Sequence, residues 1–473
     1  MVIWVSGMVM SAGLASALPS GSWVSGVTVQ NLSDTTNAGI TIDFYNHDGT
    51  NALTFTPSGG IDAGKSKTWY LPTQVTSLTS GFVGSAVVSS GVAVAAIVNT
   101  QLPSGSNPAR VGTSAGVSTP QTKIYAPQVL KGYSGWNSYC SVQNTSGTAD
   151  NVTAKIYDAS GTAVDTQVEP IAGFGSFIFD QSTRSAISSN FTGSAEFSSV
   201  SAPLAVVCNF YNTGTDAASS QFHSYNGLSS GGDTIYLPRL VKDFYNYQSG
   251  MKIQNIGTEA LTVNVTYNFG GTEYPQTSTV IGPGQSWGPY MGASAQLPAS
   301  MAAVKGSGSA VVAIVAPNAN KKIVAIVNED NRVDPAGRGI TYEGALSTEG
   351  SSKLVFPQVT SEFYGFSSGI QVTKTEAGAA SCTATYSASG SVTSPFNVNF
   401  SLSDATPSWS QFAPTASGMK PGIANDNYNG SVTVNCTGAK VIGIANISFR
   451  YDYDNRYGNT GGDSFACYRG LTN

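Results

Sequence analysis

Short runs of alternating apolar and polar residues follow one another along the chain, each interrupted by Gly, Ser, Asn or Asp, and none sustains the apolar spacing of an amphipathic helix. The pattern predicts short strands joined by turns. Between Lys123 and Phe210 it places strands near 124–129, 138–144, 151–158, 164–170, 175–180, 193–199 and 203–210, with turns such as Thr145-Ser146-Gly147 and Ala159-Ser160-Gly161 between them. The 53 glycines and 21 prolines, with abundant Ser, Thr and Val, fit this all-β reading, because β-branched residues suit a pleated surface and glycine supplies turns. Helix is expected to be scarce.

The same arrangement is written four times. WVSGVTVQN (Trp23 to Asn31), WNSYCSVQN (Trp136 to Asn144), YQSGMKIQN (Tyr247 to Asn255) and FSSGIQVTK (Phe366 to Lys374) recur in phase. Their period of roughly a hundred residues is that of a domain, whereas roughly 20 to 50 would mark a solenoid or propeller. Nine residues before the aromatic position, Pro127, Pro238 and Pro357 sit in short apolar runs, as proline does at a sheet edge, where its missing N–H is not needed. Later landmarks are the Gly-Ser openings at Gly84, Gly193, Gly308 and Gly430, and apolar runs ending at Asn99, Asn209, Asn328 and Asn446. Each unit closes with a crossover, which in three copies holds a tyrosine, a glycine and a leucine: Tyr225 to Leu228, Tyr342 to Leu346 and Tyr468 to Leu471. Seven short strands per unit, with a turn about every ten residues, predict an immunoglobulin-like β-sandwich. The chain therefore reads as four tandem modules in an elongated array, each able to bury its own core. The expected boundaries are 1–19 for an apolar N-terminal segment and 20–118, 119–230, 231–349 and 350–473 for modules 1 to 4.

Module 1 breaks the phase. Nine residues before Trp23 stands Leu14, with no proline-containing run around it, so the first strand of this module is expected to be missing and its sheet edge open. Met1 to Ala17 has the apolar run and small-residue ending of a signal peptide, without a basic start. The other reading is a strand in which Met1, Val2, Ile3, Trp4 and Val5 complete a sheet, either in a neighbouring subunit or in their own module. Since the sequence stops where a further module would begin, a head-to-tail homopolymer is the expected partnership.

Charge then narrows the function. Asp, Glu, Lys and Arg make up 10% of the chain and the net charge is −5, which leaves no basic stripe for a phosphate backbone and argues against nucleic acid. Cys140 with Cys208, and Cys382 with Cys436, fall in predicted strands of modules 2 and 4 and are expected to form one disulfide each, as in an exported protein. Cys467 is left over, either as a free thiol or as an intermolecular bridge in assembly.

Two motifs imitate catalytic ones. Gly59 to Ser66 fits the phosphate-loop pattern, but Lys67 to Pro72 after it reads as a strand and not as the helix a phosphate needs, so no nucleotide is expected. Gly112-Thr113-Ser114-Ala115-Gly116 fits the nucleophile-elbow pattern, yet it reads as a linker, and the only histidines, His47 and His223, fall in predicted turns. No enzyme activity and no cofactor are expected. Oxygen ligands for a structural calcium could come from Asp452, Asp454 and Asp463, or from Glu329, Asp330, Asn331 and Asp334, although neither set has the EF-hand spacing. Glycan acceptors would be Asn31, Asn144, Asn151, Asn190, Asn264, Asn399, Asn429 and Asn446, while Asn435 is expected on an inward strand face.

The repeat landmarks together resemble the tandem immunoglobulin-like repeats of secreted surface proteins from filamentous bacteria. The resemblance covers nearly the whole chain after Gly21 and departs most in module 4, where Thr373-Lys374 replaces Gln-Asn. It implies an extracellular structural or adhesive role and carries no catalytic residues. The function expected from sequence is thus an extracellular structural protein, a protomer of a cell-surface filament, sheath or surface layer. The alternative is an adhesin or carbohydrate-binding array that holds surface glycans on exposed Trp69, Trp287 and Trp409.

Overall fold

A computed structural model describes residues 2–9, 21–102, 110–212, 221–331, 338–419, 428–449 and 465–471. The chain is all-β, in eight small antiparallel sheets. Repeat 2 shows the pattern. Its strands are Lys123–Lys131, Trp136–Asn144, Asp150–Tyr157, Ala163–Ile171, Ser176–Asp180, Phe191–Ser199, Leu204–Asn212 and Phe222–Asn226. One sheet runs first, sixth, third, fourth, and the other fifth, second, seventh, eighth; all four repeats keep this order. A shared core fills the space between the two sheets, in repeat 2 from Val129, Val142, Ile156, Phe179, Phe197 and Val206.

Three expectations are corrected. There are eight strands per repeat, because the Tyr-Gly-Leu crossover is itself the last strand with its exit turn; in repeat 3 that turn adds a two-residue ninth, Ala345–Leu346, which pairs with the first strand as a fifth member of its sheet. The sheet order is not that of an immunoglobulin domain, which joins its first two strands in one sheet. Here the first strand pairs with the sixth and the second with the seventh, in different sheets. Lastly, repeat 1 does have a first strand, Val2–Val9, paired with Val83–Ser90. A register break between Val5 and Met8 matches the breaks at Ala126/Val129, Leu237/Leu240 and Phe356/Val359. Ser6 thus stands where the other repeats place proline, and proline is tolerated there because a bulge leaves its residue out of the ladder. Ile3 is buried in the core of its own repeat. Met1 and residues 10–20 lie outside the described residues.

The repeats do not form an elongated array. The first strand of each one packs on the second and seventh strands of the next, and the first strand of repeat 4 packs on Val24–Asn31 and Val94–Leu102 of repeat 1. The arrangement closes on itself. Ile326 of repeat 3 enters the core of repeat 2, Ile444 of repeat 4 that of repeat 3, and Ile97 of repeat 1 that of repeat 4. All three hold the same place, two residues before the asparagine within the seventh strand, Asn99, Asn328 or Asn446, past which the strand runs three residues further than the sequence suggested. The physical reason for closure is that every repeat offers the same pair of unlike faces, so each contact repeats a rotation, and four rotations return to the start.

Hydrogen bonds follow the same rule. Asn328 Nδ2 donates to Gln128 Oε1 at 2.6 Å, and Asn99 Nδ2 to Gln358 Oε1 at 2.8 Å. Ser194 Oγ donates to the Gly284 carbonyl at 2.5 Å, and Ser431 Oγ to that of Gly64 at 2.9 Å. The serine of the Gly-Ser opening and the glycine of the phosphate-loop lookalike are therefore two sides of one seam.

Candidate functional site at the common axis

The last strands of the four repeats, Arg110–Ala115, Phe222–Asn226, Arg338–Glu343 and Phe465–Arg469, pack on one another at the centre of the ring. Each is followed by a glycine that must cross its own first strand. A Cβ at Gly116 would come 2.1 Å from Ile3 Cγ2, one at Gly227 2.4 Å from Ile124 Cγ2, and one at Gly344 2.5 Å from Ile235 Cγ2. The residues just before these glycines and Gly470 form one layer: Ala115, Asn226, Glu343 and Arg469. Asn226 Nδ2 donates to the Ala115 carbonyl at 2.7 Å, and the Asn226 backbone N–H donates to the Glu343 carboxylate. Arg469 donates to Glu349 through both Nη1, at 3.1 Å, and Nη2, at 2.8 Å. A cavity of about 260 Å³ opens beside this layer, lined by Asn226, Glu343, Glu349 and Arg469 together with Gly116, Gly227 and Gly470.

Glu343 is buried, and loss of hydration pushes its carboxyl pKa up in spite of the Asn226 N–H and the nearby Arg469. A carboxyl raised on folding contributes stability that is complete below its unfolded value and is lost as pH rises through its folded value. Glu343→Gln keeps the acceptor for Asn226 without the charge. The expected result is a variant that unfolds like the parent at the acid end of a pH 4 to 8 urea series and is more stable than it at neutral pH; equal midpoints throughout would contradict it.

The next layer outward is Thr113, Ser224, Thr341 and Cys467, each cross-strand from the matching seventh-strand asparagine, Asn99, Asn209, Asn328 or Asn446. The three hydroxyls donate to Asn99, Asn209 and Asn328 at 2.6, 2.6 and 2.7 Å. Cys467 is therefore a hydroxyl position filled by sulfur. It is 3% exposed, packs into the core of repeat 3 and is a free thiol, so of the two alternatives left open by the sequence burial favours the thiol over the bridge. Burial, with the Glu329 carboxylate close by, pushes its thiol well above the usual value. Iodoacetamide is expected to leave Cys467 unmodified until the chain is unfolded, and Cys467→Thr should fold with no loss of stability. Labelling of the native protein would refute the first expectation, a lowered urea midpoint the second.

Beside Cys467 lies the most buried ion pair described. Arg239 Nε donates to Glu329 Oε2 at 2.6 Å and Nη2 to Oε1 at 2.7 Å, with the Glu329 side chain fully enclosed. The Tyr342 hydroxyl donates to the Arg239 carbonyl, as Tyr225 and Tyr468 do to those of Gln128 and Gln358, both at 2.6 Å.

The residues singled out from sequence scatter over the ring. Cys140–Cys208 and Cys382–Cys436 are disulfides, each joining neighbouring strands of one sheet. Asn31 and Asn144 are fully buried; their carboxamides donate to the carbonyls of Thr36 and Ile61, and of Thr148 and Ile171, which removes them as glycan acceptors. In repeat 4, where Lys374 stands at this position, Nζ donates to the carbonyls of Glu376 and Gly378 and so holds the following turn. Asn151, Asn190, Asn264 and Asn399 are exposed, Asn429 and Asn446 half-buried, and Asn435 points outward, opposite to expectation. Val2 is exposed; Trp4 stacks on Phe174 of repeat 2 at 5.9 Å; the side chain of Val5 lies outside the described residues. Ser114 is a strand residue paired with Val98, and His223, expected in a turn, lies in the last strand of repeat 2. Trp69 is core, Trp287 packs against the core of repeat 3, and Trp409 lies flat on Phe400 at 3.9 Å, so none forms an exposed sugar platform. Among the described residues no cluster of His, Cys, Asp or Glu could hold a metal ion; Asp334, Asp452, Asp454 and Asp463 lie outside them.

Sequence reasoning missed Arg239, Glu343 and Arg469, and took Glu329 only for a calcium ligand. The available signal was position: in a chain so poor in charge, Arg239 and Glu329 each occupy a repeat position that is uncharged in the other copies, and Glu343 and Arg469 share one position that Ala115 and Asn226 fill elsewhere.

No protein-family model matches the chain, and no curated protein matches it. Among solved structures, a Thermotoga maritima protein described as 1070 is 15% identical over 24% of this chain and 95% of its own, with a TM-score of 0.19. Escherichia coli alpha-2-macroglobulin activated by porcine elastase is 9% identical over 99% of this chain and 43% of its own, with a TM-score of 0.13. Likeness at this level carries no argument about fold or function.

Proposed function

We propose that the chain is an extracellular structural protein, a four-module block of a cell-surface layer, sheath or filament. The observation that carries this reading is ring closure. Every repeat spends its two unlike faces on its neighbours, which leaves a rigid body whose interior is occupied by its own last strands. The two disulfides and a surface of hydroxyls and amides suit an oxidising exterior. Because the repeat-to-repeat contact is used up inside the chain, blocks would join through other surfaces, and the outward fourth strands supply them. Asn51–Phe55, Ala163–Ile171, Thr272–Thr277 and Phe396–Leu402 each end a sheet, and Val168 in the second of them is 54% exposed.

An adhesive role is the second reading, and one feature favours it. The turns between first and second strands put Tyr245 and Tyr364 at positive φ, 50° each, and leave them 80% and 61% exposed. Non-glycine residues enter that region at a cost, and each tyrosine packs edge-on against its neighbour, Phe244 or Phe363, at 4.7 Å, which makes an exposed aromatic pair in each turn.

Negative-stain microscopy of the unheated protein at low and high concentration tests the choice. Discrete four-lobed blocks that order into sheets or fibres on concentration are expected; blocks that stay dispersed throughout would remove the structural reading.

A further inference from the structure

The seam between repeats 2 and 3 differs from the others. In repeats 1, 2 and 4 the fifth strand runs for five residues, Ser66–Tyr70, Ser176–Asp180 and Ser408–Phe412, but in repeat 3 it stops after Ser286–Trp287. Gly288 and Pro289 end it. Gly288 lies so close to the second strand that a Cβ would fall 2.0 Å from the Met251 carbonyl, and past this irregularity Tyr290 still pairs with Gly250 while its N–H donates to Gln296 Oε1 at 2.9 Å.

What opens there is a cleft of about 400 Å³, within the range of small-molecule sites. Repeat 2 lends it Tyr133 and Trp136 from its first turn, and repeat 3 lends Lys252, Tyr290, Gln296 and Asp330. Tyr133 and Tyr290 are each 39% exposed, so part of each residue faces solvent at the cleft. The Tyr290 hydroxyl reaches Asp330 Oδ1 at 3.4 Å.

Lys252 is the unusual member. Met251 and Ile253 on either side of it face the core of repeat 3, so its own side chain leaves the sheet on the cleft side. The matching positions in the other repeats are Thr28, Ser141 and Gln371, all uncharged. Burial alone pushes its ammonium pKa down, with no carboxylate among the described residues to offset it. A lone cation half-enclosed at a seam is unfavourable for folding, and an anionic ligand group would relieve it.

We propose that this cleft binds an acidic saccharide, whose carboxylate pairs with Lys252 while a sugar face stacks on Tyr133 and Tyr290 and its hydroxyls meet Gln296 and Asp330. Flat aromatic faces suit the C–H surface of a pyranose, and carboxamide and carboxylate side chains suit its hydroxyls. The inference is independent of block assembly, since it concerns the dispersed protein.

The test is titration calorimetry on the full chain at low ionic strength, with tetragalacturonate, a mannuronate tetramer and a hyaluronan tetrasaccharide as acidic probes and cellotetraose as the neutral one. At least one acidic probe should bind saturably and cellotetraose at least tenfold more weakly. Lys252→Met should abolish the preference for acid and leave the thermal midpoint unchanged or higher; Tyr290→Ala should weaken all binding about tenfold, on the order of 1.4 kcal/mol. No saturable heat from any acidic probe overturns the proposal. So does acidic binding that Lys252→Met leaves intact in a folded protein.

Discussion

Glu329→Gln is expected to cost about 3–5 kcal/mol of stability, because it leaves the Arg239 guanidinium enclosed at the seam of repeats 3 and 4 without its carboxylate. Removing both charges should cost much less. Repeats 2 and 4 carry Gln128 and Gln358 at the position of Arg239, and each accepts a hydrogen bond from the seventh-strand asparagine of the next repeat. A glutamine at 239 would meet Asn446 in the same way. The double variant Arg239→Gln/Glu329→Gln should therefore recover most of the loss in a urea titration, and a double variant no better than the single one would show that the pair does more than neutralise itself.

The second large effect concerns the disulfides. Cys140–Cys208 and Cys382–Cys436 close loops with sequence separations of 68 and 54. By the chain-entropy account each contributes about 4 kcal/mol through the unfolded state. All four cysteines are at most 5% exposed, so a reductant should leave the native protein unchanged and act only in denaturant. Replacing Cys140 and Cys208 together by alanine should lower the urea midpoint by an amount comparable to full reduction of that bridge. A variant as stable as the parent would mean that the neighbouring strands already hold the denatured chain together.

Much of this build is legible in residue order. The Gly-Ser openings, the prolines and the seventh-strand asparagines mark strands at the observed places, because alternation reports which residues face a core. It does not report which strand lies beside which. That is why the sequence suggests immunoglobulin order while the second strand in fact pairs with the seventh. The first strand of repeat 1 was hidden for a different reason. Ser6 replaces the proline landmark, and the connection to Trp23 is longer than in the other repeats, so counting from Trp23 lands in the wrong place. Closure was invisible because its marks, Ile97, Ile326 and Ile444, look like ordinary core residues until two repeats are seen to share them. The cleft at Lys252 could be suspected only by asking where one copy breaks the habit of the other three.

A ring assembled from four separate identical subunits would have to accept every substitution four times over. In a single chain the four seams are free to differ, and they do: amide to amide between repeats 2 and 3 and between 4 and 1, a salt bridge from Arg469 to Glu349 between 4 and 3, and serine, threonine or cysteine in turn around the axis. One of them can open to hold a small molecule while the other three keep the body closed.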